Sequence, residues 1–106
     1  MHKQTIISAI QSQQMIRVNF QKETNDEFVT RDIAPYDIFP KKKKNSYFEE
    51  DFLLGYTDIH TPHDAHIVSM YLSNISNVIL LAESFNGNDL TKHVNPKKPP
   101  VISRNW

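Results

Sequence analysis

The sequence predicts a mainly β fold, a five-stranded antiparallel barrel preceded by a short N-terminal α-helix. Three observations predict it. A helical spacing of apolar residues gives way near residue 15 to strict alternation. Five extended apolar runs then follow, separated by polar turns, in a chain of 106 residues, the length of one domain. One of only two glycines, Gly55, also interrupts the apolar run DFLLGYT, where glycine weakens a strand unless the strand bends or a neighbour comes close. A small cylinder accounts for all three, because closure removes exposed strand edges and a sharp bend favours a residue without a Cβ.

Residues 3–14, KQTIISAIQSQQ, hold no Gly or Pro, and Ile6 and Ile10 lie four apart with Ile7 and Ala9 flanking the same stripe, the pattern of an amphipathic helix. In MIRVNF, Ile16, Val18 and Phe20 alternate with Arg17 and Asn19, which reads as a strand buried on one face. QKETNDE is a polar turn. Residues 28–39, FVTRDIAPYDIF, are again extended, but Pro35 has no N–H for a ladder, so the strand is an edge there or bends there. The lysine run with Asn45 and Ser46 forms a hairpin tip. Residues 47–59 are the next strand, 60–65 its loop, 66–72 a fourth strand, and 77–85, NVILLAESF, a fifth. The barrel domain is thus expected over residues 1–88. Residues 89–106 carry three prolines and little periodicity, and are expected to be an irregular basic tail that docks, if it docks, through Val101, Ile102 and Trp106.

Absence of cysteine excludes disulfides and thiolate metal sites. No basic-then-apolar leader opens the chain and no apolar stretch approaches the roughly 20 residues that span a bilayer, so a cytoplasmic protein without membrane contact is expected. Twelve basic and twelve acidic residues cancel, but unevenly: between Asn45 and Thr91 there is no Lys or Arg.

The order of these pieces resembles the WYL-domain family over about residues 5–85, and the resemblance implies a barrel of the SH3/Sm-like type. MIRVNF resembles its first strand. In RDIAPYDIF, Arg31, Ile33, Pro35, Tyr36 and Ile38 match its second, and DFLLGY resembles its Trp-Tyr-Leu-x-Gly-Tyr strand through Leu53, Gly55 and Tyr56. Asp51 and Phe52 stand at the Trp and Tyr positions. MYLSNISNVILLAESF is similar to the closing segment, with Val68 and Asn74 where the family carries arginines that meet anionic ligands. The resemblance implies a regulatory or ligand-sensing module, with Arg31, Tyr36, Phe52 and Tyr56 as ligand-binding candidates. Its usual companion is a DNA-binding helix-turn-helix, for which this chain leaves no room.

A plainer reading of the same residues has Arg31 packing its stem on the surface and Tyr36 in the core. On a regular strand Arg31 shares a face with Ile33 and Pro35, while Tyr36 points the other way. Lys41, Lys42, Lys43 and Lys44, with Tyr36, Phe39, Tyr47 and Phe48 around them, resemble a basic finger with aromatic platforms, which is how single strands are held without base reading; the alternative is a solvated hairpin tip. His60, His63 and His66 recur at three-residue intervals near Asp58 and Asp64. Such side chains suit zinc, but Pro62 stiffens the loop, and neither a metal nor another cofactor is expected. Ser8, Ser69 and Ser84 have no histidine in a recognisable motif, and Glu49, Glu50 and Asp51 alternate faces, so no enzyme is expected. The resemblance therefore points to a non-enzymatic regulatory module of transcription or of a defence system, acting through a ligand, a protein partner or a second copy, with nucleic-acid binding through the lysine hairpin and tail as the alternative. Whether the tail folds back across the barrel mouth, with Trp106 in place of the absent tryptophan, stays open.

Overall fold

The computed structural model describes residues 2–57, 66–94 and 99–106. Helix α1 (Lys3–Ser12) buries Ile6, Ala9 and Ile10, then stops at Gln13, whose left-handed backbone (φ 56°) turns its N–H back onto the carbonyls of Ala9 and Ile10. Five strands follow: β1 (Gln14–Gln21), β2 (Phe28–Lys42), β3 (Glu49–Thr57), β4 (His66–Tyr71) and β5 (Ile75–Ser84). All neighbours pair antiparallel in the order β4-β3-β2-β1-β5. One 3₁₀ turn, Leu72–Asn74, joins the two edge strands, so the sheet curls into a barrel. Among the described residues no ladder pairs β4 with β5, and none of the helices is long and apolar enough to cross a membrane.

Strand β2 makes the curl. Its first half pairs with β1, where Val18 faces Arg31 and Ile16 faces Ile33, and its second half pairs with β3. The register slips between Pro35 and Asp37, and that bulge has a consequence for side-chain direction. Ile33 and Ile38 are five apart, so strict alternation would put them on opposite faces; an extra residue between them turns both inward. Both lie in the inner core with Ile6, Ile16, Val18 and Leu53. On the outer face, Ala34 and Tyr36 pack with Met15, Tyr56, Phe85 and Leu90 in a second cluster. The sequence left Pro35 as an edge or a bend; it is the bend, in a central strand.

Gly55 lies opposite Pro35. Its φ is not positive, so left-handed freedom is not the reason for glycine. A Cβ there would lie 2.9 Å from Ile33 Cδ1 and 3.1 Å from the Ala34 carbonyl oxygen. The expected corner residue is therefore a close-approach residue, and the corner itself is on the facing strand.

Several boundaries differ from expectation. Lys41 and Lys42 belong to β2, paired with Glu50 and Glu49, rather than to the hairpin tip. Strand β5 starts at Ile75 instead of residue 77. Helix α2 (Gly87–Val94) occupies the start of the segment read as irregular. Its cap was written in the sequence: the Asn86 side-chain oxygen accepts from the N–H groups of Asn88 (3.1 Å) and Asp89 (3.3 Å).

Replacing Gly55 with Ala should cost about 1–3 kcal/mol, the usual range for overpacking a core, because the Ala34 carbonyl belongs to the bend and cannot move aside as Ile33 can. Urea unfolding measures it; an unchanged midpoint would show that the bend tolerates a methyl.

Candidate ligand-binding site

Arg31 stands on the inner face of β2, in line with Val18 and Ile33 through the β1 register, but beyond the point where β3 pairs, which begins at Ala34 opposite Tyr56. It therefore emerges at the rim. There it lines a concavity of about 410 Å³ with Phe20, Lys22, Val68, Met70 and Asn74. One guanidinium nitrogen donates to the Thr30 carbonyl at 2.9 Å, leaving the rest of the fork directed to solvent, since the residue is exposed. Asn74 donates to Glu23 Oε1 at 2.8 Å across the same opening. The two positions where the resemblance leads one to look for arginines, 68 and 74, thus share one concavity with the arginine that is kept. Arg31 also borders a second depression, of about 490 Å³, with Arg17, Thr30, Asp32, Thr57 and His66.

Arg17 and Asp32 face each other across β1 and β2 and form a two-pronged pair, Nε to Oδ1 at 2.7 Å and Nη2 to Oδ2 at 3.1 Å. The hydrogen bond from Arg17, helped by its charge and opposed by partial burial, holds the Asp32 carboxyl below its usual range. Thr57 Oγ1 and His66 Nε2 meet at 2.9 Å on the other wall.

The four expected ligand residues do not converge. Tyr36 and Tyr56 are buried on the outer face with ring centroids 5.7 Å apart, edge to face. Burial, with a smaller push from Tyr36, raises the Tyr56 phenol above its usual value, so it stays neutral. Phe52 belongs to a third place. The strand registers align Phe39, Phe52 and Tyr71 in one row across β2, β3 and β4, with centroids 5.7 and 4.9 Å apart. Lys41 Nζ lies 4.3 Å from the Phe52 ring centre and Lys43 Nζ 4.9 Å from that of Tyr71; Lys43 also pairs with Glu50 at 3.3 Å. Beside them Lys42, Lys44 and Glu23 line a depression of about 540 Å³. Tyr47 and Phe48 project from the tip at 90% and 78% exposure. Sequence reading missed the row because cross-strand alignment depends on register, which no local pattern prints. His60 and His63 lie outside the described residues, as do Asp58 and Asp64; among the described residues no cluster of three or more His, Asp or Glu is placed to hold a metal.

No family model matches the sequence and no curated protein matches it significantly. A similar solved structure is the proteasome accessory factor B/C (PafBC) of Arthrobacter aurescens, at a TM-score of 0.60 and 14% identity, covering 92% of this chain. The chain spans 13% of that protein's length. At this identity the likeness is one of fold.

The Arg17 and Asp32 pair yields a prediction about acid stability. A carboxylate with a depressed folded value contributes stability that is complete above its unfolded value of about 3.9 and is lost as pH falls through the lower folded value. Both partners are nearly half exposed, so the effect is small. Asp32→Asn should melt slightly below the native chain at pH 7, and the gap should close toward pH 2; a gap of constant size across that range would assign the loss to something other than ionisation.

Proposed function

We propose that this chain is a non-enzymatic WYL-like regulatory module that binds a small anionic ligand at the Arg31 rim and passes the bound state to a protein partner or a second copy. One observation carries the reading: an exposed arginine opening into the same concavity as positions 68 and 74, on a fold shared with a much longer protein over 92% of this chain. A guanidinium offers a planar fork matched to phosphate or carboxylate, and the apolar floor of Phe20, Val68 and Met70 suits the body of a small molecule. With Val68 and Asn74 at the two positions where the resemblance implies arginines, and Lys22 offset by Glu23 in the same lining, the site takes one anionic group rather than a polyanion.

The test is a melting-temperature screen with nucleotides, sugar phosphates and small dicarboxylates. A ligand at a hundred times its dissociation constant stabilises by about 2.7 kcal/mol, a rise of several degrees. The expected result is a rise with at least one such anion that is lost in Arg31→Gln; no response to any, or an equal response in the variant, contradicts the proposal.

A second reading rests on the half-buried Phe39 and Phe52, backed by the buried Tyr71, beside Lys41 and Lys43. Rings for bases and ammonium groups for phosphates are the two parts of a single-strand platform. This function predicts binding to a labelled oligonucleotide that weakens with salt and falls at least several-fold when the lysines at 41–44 are changed to Gln. Binding equal in both proteins, or insensitive to salt, rules it out.

A further inference from the structure

Residues 99–106 lie along the outer face of the barrel without joining a ladder, and what holds them is a set of side-chain anchors. Asp37, placed in the bulge of β2 and only 6% exposed, accepts the N–H of Val101 at 3.0 Å and that of Ile102 at 2.9 Å. Arg104 donates to the Tyr36 carbonyl. Its guanidinium lies against two rings, 4.5 Å from the centre of Tyr36 and 4.0 Å from that of Trp106. The Trp106 indole N–H reaches the Ile10 carbonyl at 2.7 Å, near the end of α1, where it adds to the longer bond from the Gln13 N–H. The indole ring stands edge-on to Tyr36 and Phe85. It also covers Gly87, where a methyl group would overlap it. Gln11 adds a bond to the Ser103 carbonyl at 3.1 Å.

The walls of this groove belong to the barrel and its helices, with Tyr36, Tyr56, Met15 and Phe85 all buried. Its polar demands are specific. With the segment docked, its two N–H groups and that of Ile38, accepted at 3.0 Å, supply the donors that a carboxylate only 6% exposed needs.

We propose that this groove is a peptide-recognition site, occupied in cis by residues 99–106, and that its partner is an extended peptide with an arginine two residues before an aromatic residue. Two backbone N–H groups of the peptide meet Asp37, the arginine enters the stack on Tyr36, and the aromatic residue covers Gly87. Aromatic and arginine anchors of this kind dominate the energetics of protein interfaces. The tether keeps the chain's own segment at an effective concentration on the order of millimolar, so a partner competes with it and the segment sets the threshold for binding. The groove is separate from the rim at Arg31, and its test does not depend on any ligand there.

Trp106 is the sole tryptophan and reports its own displacement. The experiment adds a peptide of sequence PPVISRNF, which has no tryptophan, to the full native chain and follows indole emission. The expected result is a saturable red shift as Trp106 leaves its ring contacts, absent with a peptide in which the arginine is replaced by Ala. In parallel, a fluorescein-labelled PPVISRNW peptide is titrated into full-length Trp106→Ala, whose own anchor is missing. Binding about tenfold tighter than to the native chain is expected, with loss when Asp37→Asn is added. An unchanged emission at saturating peptide overturns the proposal, as does labelled-peptide binding that is indifferent to Asp37. Should Trp106→Ala fail to fold, the native-chain emission decides alone.

Discussion

The fold depends on one irregularity, the extra residue in β2 between Pro35 and Asp37. Without it the strand would alternate cleanly and Ile38 would face away from Ile33, leaving the inner core one large side chain short. With it, β2 serves two halves of the sheet: β1 pairs with its first part and β3 with its second. The proline suits the place because it gives up a ladder N–H where the ladder is already interrupted. The glycine opposite suits it because Ile33 leans across the strand at that level.

The same irregularity separates the surfaces. Arg31 precedes the bulge and shares the inner face, so it reaches the rim. Tyr36 falls within it and turns outward, and Asp37 is sunk into the sheet with its carboxylate free for a neighbouring segment. Residues adjacent in sequence therefore serve different surfaces. That is why a set of residues gathered from one sequence pattern, Arg31, Tyr36, Phe52 and Tyr56, is spread over three places.

What was legible in the sequence follows from what is local. The helix and the strands show their periods over a few residues, and their existence could be read. The change of parity in β2 was legible only in part: Pro35 marks a bend, and the five-residue spacing of Ile33 and Ile38 records that the face changes, but neither says what occupies the outer side. Gly55 stood out correctly as a special position, yet its reason is a side chain on another strand. Helix α2 was hidden by the proline-rich composition after it, although Asn86 and Asp89 carry a helix start. The aromatic row and the placement of Trp106 depend on register and on contacts between residues 96 positions apart, Ile10 and Trp106, and no spacing encodes them.

The account is tested most directly by nuclear Overhauser contacts within β2. In one sample, the methyl groups of Ile33 and Ile38 should both contact the inner core around Leu53 and Val18, while the Tyr36 ring contacts the indole of Trp106. Ile38 methyls found beside the Tyr36 and Trp106 rings instead would mean that the strand alternates without interruption. The parity change, and every surface assigned from it, would then be wrong.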